Sequence, residues 1–183
     1  MYLIKRSGRA RKTIYLTQLS VVLSLALLLV THAGRADPLP EDFKGWVITV
    51  LSGDRIRVLD AGNRIEVIRL QSIAAPHLDQ PYGEESRKSL SELLSGKEIS
   101  VKVLKRDGTE QVLARVLVEP GGCLDCKHTV DVALEQVKQG MAWWTVKFAK
   151  KQSKSERADY ESADTAARNA KLGLWADPEP VPP

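Results

Sequence analysis

The sequence predicts a mainly β domain with α, a small closed barrel of five strands with three packed helices. Three observations predict it. Apolar residues alternate at period two in short runs before residue 71 and again between 98 and 118. One segment at helical spacing, Gly83 to Leu94, separates these two groups of strands. Two further helical patterns follow the last strand. Strands, one inserted helix, more strands and then helices is the order of an OB-fold barrel.

The elements are justified in turn. Trp46 to Leu51 is a β-branched run and reads as the first strand. Ser52-Gly53-Asp54 turns the chain, and Arg55 to Leu59 alternates as the second strand. Asp60-Ala61-Gly62-Asn63 is a hairpin turn in which Gly62 and Asn63 are expected to take positive φ. Arg64 to Leu70 returns as the third strand, and Ala75-Pro76 ends that stretch. Ser86, Leu90, Leu93 and Leu94 share one face of the first helix, and Gly96 is placed to cap its C-terminus. Ile99, Val101 and Val103 mark the inner face of a strand over Glu98 to Lys105. Arg106 to Thr109 is read as a turn, Gln111 to Val118 as the last strand, and Pro120 to His128 as a loop. Val130 to Gln139, capped near Gly140, and Ser155 to Lys171, ending before Gly173, are the remaining helices. Asp177 to Pro183 is proline-rich and is expected to be disordered.

The first 36 residues stand apart. Lys5, Arg6, Arg9, Arg11 and Lys12 precede an apolar run from Leu19 to Val30, and small residues follow at Ala33, Gly34 and Ala36. That order reads as a secretory signal peptide cut after Ala36 or Ala33. The alternative is an uncleaved anchor, since the run extended back to Thr13 is about long enough to span a bilayer. The first reading makes the protein periplasmic or secreted; the second leaves it anchored in the inner membrane. Residues 37–44 then form a linker, 45–176 the domain and 177–183 the tail. The whole chain has a formal net charge of +4, but six Lys and Arg and no acid lie in residues 1–36. What remains carries 21 basic and 23 acidic residues, a net of −2. Bulk charge therefore gives no general attraction for nucleic acid, and any such binding needs a local patch.

Several segments together carry a resemblance. They are Val50-Leu51-Ser52-Gly53-Asp54-Arg55-Ile56-Arg57-Val58 and Ile68-Arg69-Leu70-Gln71-Ser72-Ile73-Ala74-Ala75-Pro76-His77. Further on come Asp131 to Trp144, with Gly140-Met141-Ala142-Trp143, and Leu172-Gly173-Leu174-Trp175. In this order they resemble the staphylococcal nuclease (thermonuclease) family, whose first two segments read V-x-D-G-D-T-x-x-V and R-L-x-G-I-D-A/T-P-E. The resemblance runs from about Gly45 to Trp175 and implies the same barrel. It also implies a nuclease that hydrolyses phosphodiester bonds with one calcium ion.

The chemistry implied by the resemblance is thinned in this chain. Asp54 falls on the family's first metal-binding aspartate. Ser52 stands where the family has another aspartate, Arg55 where it has threonine, and Ala74 where it has the second metal-binding aspartate. Ala75 falls on the position that gives the metal only its backbone carbonyl. His77 replaces the glutamate assigned as general base. Arg69 keeps the first of two phosphate-bracing arginines, and the second falls near Gln111. Calcium prefers six to eight oxygen ligands, several of them carboxylate, so calcium at Asp54 is a doubtful cofactor and cleavage is expected to be weak or absent. His77 has a pKa range suited to a base, with Asp79, Glu84 or Glu85 as candidate orienting carboxylates; the alternative is a plain surface histidine. Arg69 reads equally as a phosphate ligand or as a structural partner of Asp54.

The segment Trp143 to Lys154 mixes aromatics with lysines. The family's two substrate-contacting tyrosines fall on Val146 and Phe148. Phe148 with Lys147 and Lys150 is therefore a candidate nucleic-acid contact, since aromatics beside cations suit single strands. Trp143 and Trp144 are expected to be core. Cys123 and Cys126 read first as a local disulfide in an exported protein. A redox pair lacks the strand-to-helix context, and zinc or haem lacks ligands at the right spacing. Three function classes stay open on the sequence: a residual metal-dependent nuclease on DNA or RNA, a nucleic-acid-binding domain, and an envelope adaptor that binds another protein. A membrane partner arises only with an uncleaved N-terminus.

Overall fold

The structure, a computed structural model, describes residues 41–107, 111–123 and 126–183. The signal or anchor segment and the first linker residues lie outside the described residues, as does the tip of the turn at 108–110.

Among the described residues, eight strands and three α-helices follow one another. They are β1 (Phe43–Ser52), β2 (Arg55–Asp60), β3 (Ile65–Leu70), β4 (Ile73–Ala74), α1 (Gly83–Leu94), β5 (Glu98–Asp107), β6 (Gln111–Val118), β7 (Val130–Asp131), α2 (Val132–Lys138), β8 (Trp143–Trp144) and α3 (Lys154–Asn169). Five of the strands close into a barrel in the order β3-β2-β1-β5-β6, and β3 pairs back onto β6 in parallel through Ile68–Val112 and Leu70–Ala114. The other barrel pairings are antiparallel. Closure leaves no open edge within the ring. The predicted OB barrel with three helices is the observed architecture.

The core follows the period-two pattern. Ile56, Val58, Ile68, Ile99, Val101, Ala114, Val116 and Val118 are all fully buried at the barrel centre. Leu90 and Leu94 of α1, one helical turn apart, are buried with them. Each such aliphatic contributes about 1.5–3 kcal/mol relative to exposure. Gly96 adopts φ 69 just beyond α1, as a left-handed cap should. The helix starts without a side-chain cap, at Tyr82 with φ 65.

Several expectations need correction. The Asp60–Arg64 turn does not use two positive-φ residues: Asn63 has φ 59, and Gly62 does not take positive φ. The Asp60 carboxylate replaces the second one, since its Oδ1 accepts the N–H groups of Gly62 and Arg64, both at 2.8 Å. The Arg64 N–H, helped by its guanidinium, holds the Asp60 carboxyl below its ordinary value. Arg106 and Asp107 belong to β5 rather than to a turn. The helix read from Val130 begins at Val132, because Val130–Asp131 pairs with β6. The last helix starts a residue earlier, at Lys154, capped by a reciprocal Ser153–Glu156 box.

The closing motifs meet in space. Leu174 N–H donates to the Gly140 carbonyl at 2.9 Å. A side chain at Gly140 (φ 67) would strike the Leu172 backbone. Trp143 packs edge-on against Trp175 with ring centroids 6.0 Å apart, and the Arg168 guanidinium lies 3.6 Å over the Trp175 ring. Trp144 packs against Tyr160 and donates to Gln152. Both tryptophans are packing residues. The C-terminal tail touches the domain: the Gln80 amide donates to the Pro182 carbonyl at 3.2 Å.

Cys123 and Cys126 are joined as a disulfide with Cα atoms 5.9 Å apart. It closes a small ring, so its entropic contribution falls below the roughly 3 kcal/mol of a 15-residue loop. Replacing both cysteines by serine is expected to lower Tm by only a few degrees, about what 1 kcal/mol does to a domain of this size. A loss above about 10 °C in a thermal melt would show that the loop holds the barrel together.

Candidate functional site

A cleft of about 470 Å³ opens where the β1–β2 turn meets the end of β3 and the following loop. Asp54, Arg55, Arg69, Ala74, His77 and Gln111 all line it. The barrel thus gathers the positions that the first two family-like segments and Gln111 singled out for chemistry.

Asp54 sits in the turn after β1 and is 6 % exposed. Ser52 Oγ donates to its Oδ1 at 2.8 Å. Arg69 Nε lies 3.6 Å from Oδ2, and Arg55 Nε 4.0 Å from Oδ1. The two arginines are directly paired residues of β2 and β3, so their side chains leave the same face of the ladder. Arg69 therefore both lines the cleft and pairs with Asp54.

The turn is braced from behind. Gly53 has no room for a side chain: a Cβ there would overlap Ser86 Oγ and the Ala75 methyl. Gln136, fully buried on α2, donates to the carbonyls of Gly53 and Ser86, each at 3.1 Å. Ser86 Oγ donates in turn to the Met141 carbonyl at 2.6 Å. These contacts tie α1, α2 and the turn together and fix where Asp54 points. Neither Gln136 nor Ser86 was singled out for this role. The available signal was a glutamine on an otherwise apolar helix face, since a buried amide needs partners.

The opposite wall is set by β4. It pairs with β8 through Ala74–Trp143, and Thr145 N–H donates to the Ser72 carbonyl at 2.8 Å. Ser72 itself takes φ 68, where the nuclease pattern has glycine, a conformation costly for an L residue. The same pairing sets Trp143, the start of the lysine segment, beside Ala74. Lys147 and Lys150 are exposed on the 3-10 turn Val146–Lys151 but do not line the cleft. Phe148 belongs to that turn, and its side chain lies outside the described residues.

His77 is exposed at the mouth, and its backbone N–H donates to Gln80 Oε1 at 2.7 Å. None of Asp79, Glu84 and Glu85 lines the cleft. Glu84 is engaged by Arg87 at 2.6 Å. The imidazole thus has no orienting carboxylate from that trio, and it reads as a surface histidine at the rim. Among the described residues no group of three or more His, Cys, Asp or Glu is placed to hold a metal ion. Pro183 of the tail also lines the cleft.

A closed barrel of this strand order with a charged cleft at one mouth defines a protein of the OB-fold class, whose members bind oligonucleotides and oligosaccharides. The family model for staphylococcal nuclease homologues matches residues 67–177. An uncharacterized endonuclease of Haemophilus influenzae is 33% identical over 137 residues, covering 75% of this chain and 68% of the relative. An uncharacterized endonuclease of Escherichia coli is 32% identical over 142 residues, 78% of this chain and 83% of the relative. A micrococcal nuclease of Shigella flexneri is 33% identical over 171 residues, 92% of this chain and 91% of the relative. The chain belongs to the staphylococcal nuclease homologue family.

Proposed function

We propose that this is an exported member of the family that binds nucleic acid at the Asp54–Arg69 cleft and hydrolyses it slowly or not at all. One observation carries the reading: among the described residues the cleft has one carboxylate side chain, and it lies between two guanidiniums. That donor set does not fit calcium, which takes several carboxylate oxygens and gains affinity with ligand charge. Arg55 and Arg69 each repel an incoming cation. No carboxylate replaces the base at His77, and Gln111 is neutral where a second bracing arginine would stand. A missing donor to the reacting phosphate costs about 2.7–4 kcal/mol of transition-state stabilisation on the scale of an oxyanion hole. Arg69 retains the chemistry to hold a phosphate, and Lys147 and Lys150 are exposed on the turn that follows β8. The apolar run and basic start of the chain support export, and the disulfide is consistent with an oxidising compartment.

The relatives' names, an endonuclease and a micrococcal nuclease, favour a second reading, an active endonuclease, which the family resemblance would make metal-dependent. Incubating the full-length chain with plasmid and with RNA, with and without calcium, separates the two. The expected result is no calcium-stimulated digestion. Robust digestion with calcium, abolished by Asp54→Asn, would overturn the proposal in favour of the active enzyme.

A further inference from the structure

We propose that Arg55 takes the part of the missing cation, so that the cleft grips a phosphate group directly between Arg55 and Arg69 with no divalent metal. The inference rests on the reading that the cleft receives nucleic-acid phosphates, and it names how they are held.

Arg55 opens β2 and Arg69 nearly closes β3, in direct register across the ladder. Like charges directly opposite one another on a ladder destabilise it. Among the described residues Asp54 is the only carboxylate side chain lining the cleft, and it can offset one of the two positive charges. A net positive charge therefore remains on the side chains at the floor of a pocket whose walls include Leu51, Val67, Ala74 and Pro76. Apolar walls weaken screening and strengthen attraction for an anion.

The hydrogen-bonding state of the arginines points the same way. Arg64, Arg87, Arg106, Arg115, Arg157 and Arg168 each donate to a carboxylate or a carbonyl. Among the described residues the two cleft arginines approach Asp54 only at 3.6 and 4.0 Å, beyond good hydrogen-bond geometry. The Arg55 Nε–H is buried without a hydrogen-bond partner. Both forks thus lie near Asp54 while their donors stay uncommitted. Their side chains are 37% and 41% exposed, open to an entering ligand. Two guanidinium forks flanking one pocket match the oxygens of a phosphate better than any cation. In this arrangement Asp54 is a charge partner that an entering phosphate displaces rather than a metal ligand.

The test titrates the full-length chain with two probes, a short single-stranded DNA oligonucleotide and inorganic phosphate, each in EDTA and in calcium. Both are expected to bind in EDTA, with Kd changed by less than about twofold on adding calcium, since no metal site is formed. Arg55→Gln is expected to weaken both by about tenfold or more, the loss of charge-assisted bonds. Arg55→Lys, which keeps the charge without the fork, should recover only part of this. Asp54→Asn is expected to tighten phosphate binding, because it removes a competing anion. Binding that needs calcium, or that Asp54→Asn abolishes in a folded protein, would overturn the proposal. Oligonucleotide binding unchanged by Arg55→Gln would also overturn it, while leaving the nucleic-acid reading intact. Phosphate binding without oligonucleotide binding would uphold the arginine site and overturn the nucleic-acid reading. Binding of neither probe by the folded chain would overturn both.

Discussion

Replacing Asp131 by alanine is expected to destabilise the domain by about 3 kcal/mol, a lost helix cap together with a buried hydroxyl left without its acceptor. Asp131 is 7% exposed and has four partners. Its Oδ1 accepts the Ala133 and Leu134 N–H groups at 3.1 and 3.4 Å, which caps α2, and the Tyr160 hydroxyl at 3.1 Å. Its Oδ2 accepts Arg115 Nε at 2.9 Å. Burial pushes the Tyr160 phenol well above its ordinary value, so it remains a proton donor to Asp131 at any workable pH. Arg115 also contacts Glu156, which the Ser153 N–H holds below the ordinary carboxylate value. Loss of the cap alone accounts for about 1 kcal/mol. The larger part is the buried hydroxyl of Tyr160 left without its acceptor, with Arg115 left to Glu156 alone.

Denaturant unfolding checks this, with Tm expected to fall by more than about 10 °C. Asp131→Ala combined with Tyr160→Phe should cost little more than Asp131→Ala alone, because the donor left without an acceptor is gone. A cost of Asp131→Ala below about 1 kcal/mol, no more than an ordinary cap, would show that the network contributes little. The effect should reach the cleft, since the helix that Asp131 caps carries Gln136, which holds the Gly53 carbonyl.

What could be read from the chain differs between barrel and site. Alternation of Ile56 with Val58, and of Ile99 with Val101, places the strands because burial on one face imposes period two. Leu90 and Leu94 place α1 for the same reason at helical spacing. Element ends were less legible. Val130–Asp131 looks like the start of a helix, but a pairing with Leu117 and Val118 takes it into the sheet, a tertiary contact that no local pattern announces. The positive φ at Asn63 was visible in the residue type. The role of Asp60 in that turn was not, because Asp60 also reads as the end of a strand. In the site, the resemblance gave the places of Asp54, Arg69, Ala74 and His77. It placed Arg55 beside them, where the family has threonine, but gave it no part in the chemistry. Arg55 joins because β2 and β3 set it opposite Arg69, a relation between two strands. Gln136 and Ser86 escaped for the same reason, since each acts on a segment distant in sequence.

Restoring the acidic positions should convert the cleft into a calcium site in stages. Ala74 lies on β4, whose pairing with β8 holds it against the cleft. A carboxylate introduced there by Ala74→Asp would face the same pocket as Asp54 from a braced strand, which favours a defined geometry. With His77→Glu added, the cleft would hold three carboxylate side chains against two guanidiniums. Adding Arg55→Thr removes one of those cations and leaves three against one. Calcium affinity follows ligand charge and rigidity, so the double variant should bind weakly and the triple variant more tightly. Binding to the folded state appears as a calcium-dependent rise in Tm, absent from the native chain and largest in the triple variant. Cleavage should lag behind binding, because Gln111 still stands where a guanidinium would brace the transition state. Adding Gln111→Arg is then expected to raise the calcium-dependent rate by about 10²–10³, the usual effect of one such donor. A native chain whose Tm already rises with calcium would refute a cleft held by arginines instead of a metal. So would a folded triple variant whose Tm ignores calcium, because the carboxylates would then have met the required charge without making a site.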